Sequence, residues 1–164
     1  DALEKRKNTK KIKNIIISLG GSDKDNLTYD ALQNISNDFN VVVVLGNASP
    51  HNQMIQNYAQ GNNIKVIINA DNMAELMSNA DLAIGACGST SWERCCLGLP
   101  TLLFVTADNQ KPTAGNLEKL GAVKIIDNLK YDLETLVDDF SLWEEMSKKA
   151  QAICDGLGAK RIKI

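Results

Sequence analysis

Residues 80–93 read ADLAIGACGSTSWE, a pattern that predicts a buried strand, a hydroxyl-rich glycine turn and the start of a helix. The uncharged run Leu82–Ala86 suits a strand that is covered on both faces. Gly88 permits a sharp turn and the close approach of a ligand. Free N–H groups at the start of a helix attract anions. The stretch therefore predicts phosphate on the turn and ribose hydroxyls on the Glu93 carboxylate.

The same residues also admit a purely structural explanation. Ser89, Thr90 and Ser91 are all helix-capping types, and Glu93 stands where the acid of a capping box would reach back. Chemistry alone leaves the helix cap and the ligand site equally open. Trp92 is expected to pack against the domain, with base stacking as the lesser alternative.

Around this stretch, predicted strands and helices alternate along the whole chain. The strands are expected at 12–19, 41–45, 64–68, 82–86, 101–105 and 122–126, and the helices at 26–38, 51–60, 71–79, 89–97, 113–120, 132–139 and 141–155. Such alternation predicts an α/β fold, a Rossmann-like parallel sheet of about six strands with helices on both faces. Right-handed crossovers favour the strand order 3-2-1-4-5-6.

In that order, the first and fourth strands are neighbours at the switch point, where such sheets bind ligands. Gly20-Gly21-Ser22-Asp23 would then face the loop 87–91. A plain turn is the alternative for the first loop, since it contains neither G-x-G-x-x-G nor a P-loop lysine. Asn109 and Gln110 follow the fifth strand at the same edge. Their amides suit sugar hydroxyls, although a polar surface loop is equally compatible.

Composition excludes several classes of function. The 164 residues carry a net charge of −2, so nothing favours nucleic acid or an anionic membrane as a partner. The apolar runs have the length of strands, so no membrane span is expected. The charged segment 1–11 is typical of an interdomain linker or exposed arm, with the domain itself at 12–164.

Neither a metal site nor a catalytic constellation can be assembled from the reactive residues. The four cysteines lack metal-type spacing and are expected to be buried free thiols in a reducing cytoplasm. His51, the one histidine, follows a strand that does not border the fourth, and a loop or capping role suits it. No cofactor is implied.

Several segments together resemble the carboxyl-terminal domain of the UDP-sugar hydrolases of pseudaminic acid biosynthesis. These enzymes are similar to the lipid-II-forming N-acetylglucosaminyltransferases, which have a two-domain GT-B fold. The resemblance covers nearly everything after Ile12 and is most specific at residues 88–94. The matching segments are Ile67-Ile68-Asn69-Ala70-Asp71-Asn72-Met73, Ala80-Asp81-Leu82-Ala83-Ile84-Gly85, Gly88-Ser89-Thr90-Ser91-Trp92-Glu93-Arg94, Leu97-Gly98-Leu99-Pro100 and Asn109-Gln110.

The resemblance implies that the chain is the nucleotide-binding half of a GT-B enzyme and binds UDP or a UDP-sugar. Glu93 would bind the ribose, the residues at 88–90 the diphosphate, and the backbone at Ala70 the uracil. Asn109 and Gln110 would contact sugar or phosphate, and Gly21 and Ser22 would line the cleft.

The resemblance also implies that the catalytic base belongs to an amino-terminal domain absent from this chain, so no residue here is assigned as catalytic. The expected reaction of the whole protein is hydrolysis of a diacetamido-trideoxy-hexose nucleotide in the cytoplasm. Two alternatives remain open: the nucleotide half of a glycosyltransferase for cell-surface polysaccharide, and a non-catalytic nucleotide-sugar binding module.

Overall fold

A computed structural model describes residues 2–161, without the side chains of residues 159 and 160. Its centre is a six-stranded sheet in the order β3-β2-β1-β4-β5-β6, and every neighbouring pair is parallel. The predicted order is therefore confirmed. The strands are β1 (Asn14–Ser18), β2 (Asn40–Leu45), β3 (Ile64–Ile68), β4 (Leu82–Ala86), β5 (Thr101–Phe104) and β6 (Val123–Ile125).

Helices cover both faces of the sheet, as predicted. They are α1 (Ala2–Asn8), α2 (Leu27–Gln33), α3 (Asn52–Ala59), α4 (Met73–Asn79), α5 (Thr90–Cys96), α6 (Lys111–Lys119), α7 (Leu129–Asp138), α8 (Phe140–Ile153) and α9 (Gly158–Arg161). Ile15 and Ile17 pack among residues of α2, α3 and α7, whereas Ile16 points to the opposite face and packs near α4. Within the described residues, no helix is long and apolar enough to cross a membrane.

Some helix boundaries differ from the predicted ones because side chains near the helix ends form local hydrogen bonds. The second helix stops at Gln33 rather than at residue 38, and Ser36 then donates a 2.7 Å bond to Asp38 in a separate turn. Helix α7 begins at Leu129 because Asn128 caps it, accepting from the N–H of Tyr131. The expected loop after β5 contains a short 3-10 turn at Asp108–Gln110 and the start of α6.

The expectation of an exposed arm at 1–11 is wrong for its helical part. Helix α1 packs against α4, and Arg6 is only 2% exposed. Its guanidinium donates to the carbonyl of Met77 at 2.7 Å and to that of Ala80. These carbonyls lie at the end of α4, where a helix lacks partners for its last C=O groups. A sequence pattern could not indicate this cap, because the partners are more than 70 residues away.

The four cysteines do not behave alike. Cys87 and Cys95 are buried and free, as predicted. Cys96 and Cys154 instead form a disulfide between α5 and the residue that follows α8, with Cα atoms 4.8 Å apart. The prediction of four free thiols is wrong for this pair, because the fold brings together residues 58 apart in sequence.

Candidate functional site at the carboxyl edge of the sheet

The two glycine- and serine-bearing loops leave the same edge of the sheet from neighbouring strands. β1 pairs directly with β4, with Ser18 opposite Gly85. Both strands run in the same direction, so the loops 20–23 and 87–89 emerge side by side. This is the switch point of the sheet, where β1 leads to strands on one side and β4 to strands on the other.

The first loop is shaped by close backbone packing and by one carboxylate. Asp23 is buried and accepts bonds of 3.0 Å from the N–H groups of Leu27 and Thr28, which caps α2. The side chain that caps α2 thus lies four residues before the first residue of the helix. The carboxylate of Asp23 is therefore occupied. The backbone N–H groups of Gly21 and Ser22 have no hydrogen-bond partner among the described residues.

Gly46, which follows β2, holds this loop in place. A Cβ at Gly46 would overlap the backbone of Gly21, so the two segments can meet only because residue 46 is glycine. The next residue, Asn47, donates its N–H to the side chain of Asn69 at 3.1 Å. A chain of contacts thus runs from the loop after β1 to the segment after β3.

The second loop carries exposed hydroxyls that do not cap the helix. Ser89 occupies the N-cap position of α5, yet its side chain makes no capping bond. The N–H groups of Ser89 and Thr90 have no partner in the part of the chain that the structure describes. Gly88 and Ser89 are exposed, and Thr90 is half-buried. The helix-cap explanation of these serines therefore loses its main support, and two backbone donors stay available at the turn.

Glu93 lies one turn into α5 and is exposed. Its carboxylate makes no hydrogen bond within residues 2–161, so it does not act as the acid of a capping box. Trp92 is 46% exposed, so the expectation that it packs against the domain is wrong. Both side chains stand open beside the turn.

Sequence reasoning missed Arg94, which lies beneath the same turn and is 2% exposed. Its Nη2 donates to the carbonyl of Ala86 at 2.8 Å and to the hydroxyl of Ser91 at 3.0 Å. Its Nη1 donates to the hydroxyl of Thr90 at 3.3 Å. The buried Nε has no partner among the described residues. The helical spacing of Ser91 and Cys95, both buried, could have placed Arg94 on the inner face of α5.

Burial lowers the pKa of Arg94 to about 10, which leaves the guanidinium charged at neutral pH. Because this pKa lies below that of a solvated arginine, the folded chain holds the proton less tightly than the unfolded chain. The buried charge therefore costs stability at every pH below about 10, and this cost falls as the pH rises further.

The remaining predicted site residues lie at the same edge of the sheet. Ala70 is half-buried and follows Asn69, which adopts a left-handed conformation with φ of 52°. Asn109 is exposed. Gln110 accepts bonds at its Oε1 from the backbone and the hydroxyl of Thr106, at 3.0 and 3.1 Å, so only its amide nitrogen stays free.

A small cavity of about 150 Å³ links two of these loops, since both Ser22 and Thr106 line it. A larger groove, of about 440 Å³, lies elsewhere, between the segment after α2 and helix α7. That groove includes Phe39, which directly precedes β2. The recess at the carboxyl edge is thus the smaller of the two.

His51 has a local structural role, consistent with the prediction. Its Nε2 lies 3.0 Å from the carbonyl of Lys24 and joins the start of α3 to the segment before α2. It therefore forms no nucleophilic pair with Ser89 or Cys87.

Comparison with known proteins agrees with this architecture. A family model described as the glycosyltransferase family 28 C-terminal domain matches residues 4–156. The spore coat polysaccharide biosynthesis protein SpsG of Bacillus subtilis is 29% identical over 167 residues, covering 93% of this chain and 49% of SpsG. The UDP-N-acetylglucosamine–N-acetylmuramyl-(pentapeptide) pyrophosphoryl-undecaprenol N-acetylglucosamine transferase of Oenococcus oeni is 29% identical over 161 residues, covering 90% of this chain and 43% of the transferase.

The fold matches the crystal structure of Acinetobacter baumannii MurG with a TM-score of 0.78 and 23% identity. The match covers 97% of this chain and 50% of MurG. The chain thus spans half or less of the length of each of these relatives. The expected fold class, a Rossmann-like carboxyl-terminal half of a GT-B fold, is confirmed.

Proposed function

On the premise that this chain belongs to the family of glycosyltransferase family 28 C-terminal domains, we propose that it is the nucleotide-binding half of a GT-B enzyme that uses a UDP-sugar. The proposal rests on polar groups at the switch point that keep a hydrogen-bond donor or acceptor free within the described residues. Free backbone N–H groups on both loops, the hydroxyls of Ser89 and Thr90, and the open carboxylate of Glu93 lie at one edge.

These groups match the parts of a nucleoside diphosphate. N–H groups and hydroxyls donate to phosphate oxygens, whereas a carboxylate accepts from vicinal ribose hydroxyls. The diphosphate is assigned to Gly88, Ser89 and Thr90, and the ribose to Glu93. Gly21 and Ser22 are assigned to the opposite side of the proposed cleft.

The uracil and sugar contacts belong to the neighbouring loops. The backbone at Ala70 is assigned to uracil, because the segment after β3 is tied through Asn69 and Asn47 to the loop at Gly21. Asn109 and the amide nitrogen of Gln110 are assigned to the sugar or to its phosphate. These assignments follow the family resemblance.

In the proposed reaction, the bond between the anomeric carbon and the diphosphate oxygen breaks, and UDP leaves with the electron pair. Donors at the turn stabilise the charge that develops on the leaving group. The acceptor and the base that activates it come from a second domain. This division is supported by the relatives, since this chain covers half or less of the length of each of them.

Glycosyl transfer is the favoured reaction. The relatives described above are an N-acetylglucosamine transferase and a protein of polysaccharide biosynthesis. Hydrolysis remains the second candidate, on the resemblance of residues 88–94 to the pseudaminic acid hydrolases. Transfer and hydrolysis are distinguished by incubating the two-domain protein with a UDP-sugar and identifying the product that contains the sugar. Transfer yields a glycosylated acceptor, whereas hydrolysis yields free sugar without any acceptor. A binding module without activity would yield neither.

A nucleotide titration tests the binding proposal directly. We expect UDP to bind this chain more tightly than UMP or ADP in calorimetry. Glu93→Ala should weaken UDP binding by about 30-fold, since losing charge-assisted hydrogen bonds costs about 2 kcal/mol. Glu134→Ala, which removes an exposed acid from α7, serves as the matched control and should leave the affinity unchanged. Equal binding of the three nucleotides, or full affinity in Glu93→Ala, would contradict the proposal.

A further inference from the structure

Arg94 is a buried cation without a buried counter-charge. No carboxylate forms an ion pair with it in the described chain; the exposed carboxylate of Glu93 acts on it only through space, and burial raises the pKa of the neighbouring Cys95 thiol, which keeps that thiol neutral. Burying an unpaired charge is expensive, and such charges usually have a partner or a ligand. Arg94 lies beneath an exposed turn with free hydrogen-bond donors. An anion bound at that turn would supply the negative charge that Arg94 lacks.

The hydrogen bonds of Arg94 also orient the turn. The Thr90 oxygen accepts from Nη1, so the hydroxyl proton of Thr90 is free to point elsewhere. No described residue accepts a bond from that hydroxyl. Since Thr90 is only half-buried, its proton can reach an acceptor outside the chain. An oxygen bound there would lie within about 6 Å of the guanidinium, whose charge is poorly screened because it is buried.

We propose that Arg94 is a positioning residue for the diphosphate: it turns the Thr90 hydroxyl toward the anion, and the bound anion supplies its counter-charge. This inference rests on the proposed function, and it adds a residue that does not itself touch the substrate. Gly85 is part of the arrangement, because a Cβ at that position would overlap Nη1. The strand therefore leaves room for the guanidinium at the base of the turn.

The test compares Arg94→Met and Arg94→Lys with the wild type, using UDP, uridine and inorganic pyrophosphate in NMR titrations. The methionine variant is expected to fold, since the Ala86 carbonyl keeps a second partner in the N–H of Gly88. We expect Arg94→Met to lose at least tenfold in affinity for UDP while uridine affinity stays within twofold. Arg94→Lys keeps the charge without the fork of donors, so its loss for UDP should be smaller.

The matched control is Arg6→Met, which removes the other buried arginine at the far end of the domain. It should change the affinity for neither UDP nor uridine. Thr90→Val should weaken UDP binding in the wild type by more than in the Arg94→Met background, because the arginine no longer orients the hydroxyl there. Pyrophosphate should raise the melting temperature of the wild type by more than that of Arg94→Lys.

The outcomes separate this inference from the proposed function. If the wild type binds UDP and Arg94→Met binds it equally well, the inference fails and the proposed function stands. If UDP and uridine affinities fall by the same factor, Arg94 only supports the fold and the inference is overturned. If the wild type does not bind UDP, both fail. Should Arg94→Met not fold, Arg94→Lys decides, and an unchanged ratio of UDP to uridine affinity would overturn the inference.

Discussion

At Gly46, a single hydrogen in place of a side chain lets the backbone after β2 touch the loop after β1. Most residues that shape the site act in this indirect way. Gly46 makes room for Gly21, Gly85 makes room for Arg94, and Asp23 fixes the start of α2. Glu93 and the turn at 88–90, by contrast, are themselves open to a ligand. The shape of the proposed site therefore depends on residues that are not themselves assigned to the ligand.

We expect Gly46→Ala to weaken both stability and UDP binding. The added methyl group would displace Gly21, at a cost of roughly 1–3 kcal/mol. Chemical denaturation measures the first effect, and calorimetry with UDP measures the second. Gly115→Ala on α6 is the matched control, because a Cβ there meets nothing within 4 Å. It should be neutral or stabilise by up to about 1 kcal/mol. Wild-type affinity in Gly46→Ala would show that the two loops move independently.

At the scale of elements, α1 belongs to the domain rather than to a flexible connection. Arg6 reaches the last carbonyls of α4, which neither helix could satisfy alone. A cation near a helix C-terminus is also favoured by the helix dipole. That residues 1–11 form a linker stays a prediction, and within the described chain α1 packs against α4.

We expect Arg6→Met to lower the free energy of unfolding by about 1–2 kcal/mol, because the end of α4 loses its donor. Lys7→Ala is the control. It removes an exposed ion pair with Glu4 on the same helix, and its cost should stay below about 0.5 kcal/mol. Urea denaturation of the three chains measures both effects. An Arg6→Met chain as stable as the wild type would mean that α1 does not stabilise the domain.

At the scale of the molecule, the polar groups that match UDP gather at one edge of an otherwise closed sheet. The core on both faces is covered by helices, and the larger groove lies away from this edge, between the segment after α2 and helix α7. The proposed binding at the carboxyl edge is therefore expected to leave the core unchanged. Ligand binding should simply add to the stability of the folded chain.

We expect UDP at 100 times its dissociation constant to stabilise the chain by about 2.7 kcal/mol. For a domain of this size, that raises the melting temperature by roughly 5–10 °C. Differential scanning calorimetry measures the shift, with ADP at the same concentration as the control. A shift of equal size with ADP would mean that the site does not distinguish uracil from adenine.

The sequence by itself determined the class of fold and the strand order, and it pointed to the edge of the sheet where ligand binding is proposed. These depend on local hydrophobic periodicity and on the right-handed crossover, which leaves few ways to connect alternating strands and helices. It also singled out the turn at 88–90 and Glu93, although it could not distinguish a helix cap from a ligand site.

Only the tertiary structure distinguished a helix cap from an open turn at residues 88–90. It also showed that Arg94 is buried beneath that turn, that α1 packs against the domain, and that Cys96 pairs with Cys154. Each of these depends on groups brought together from distant positions or on the direction of one side chain. A periodic pattern carries no information about either. The free N–H groups of Ser89 and Thr90 and the buried charge of Arg94 beneath them therefore became visible only in the folded structure.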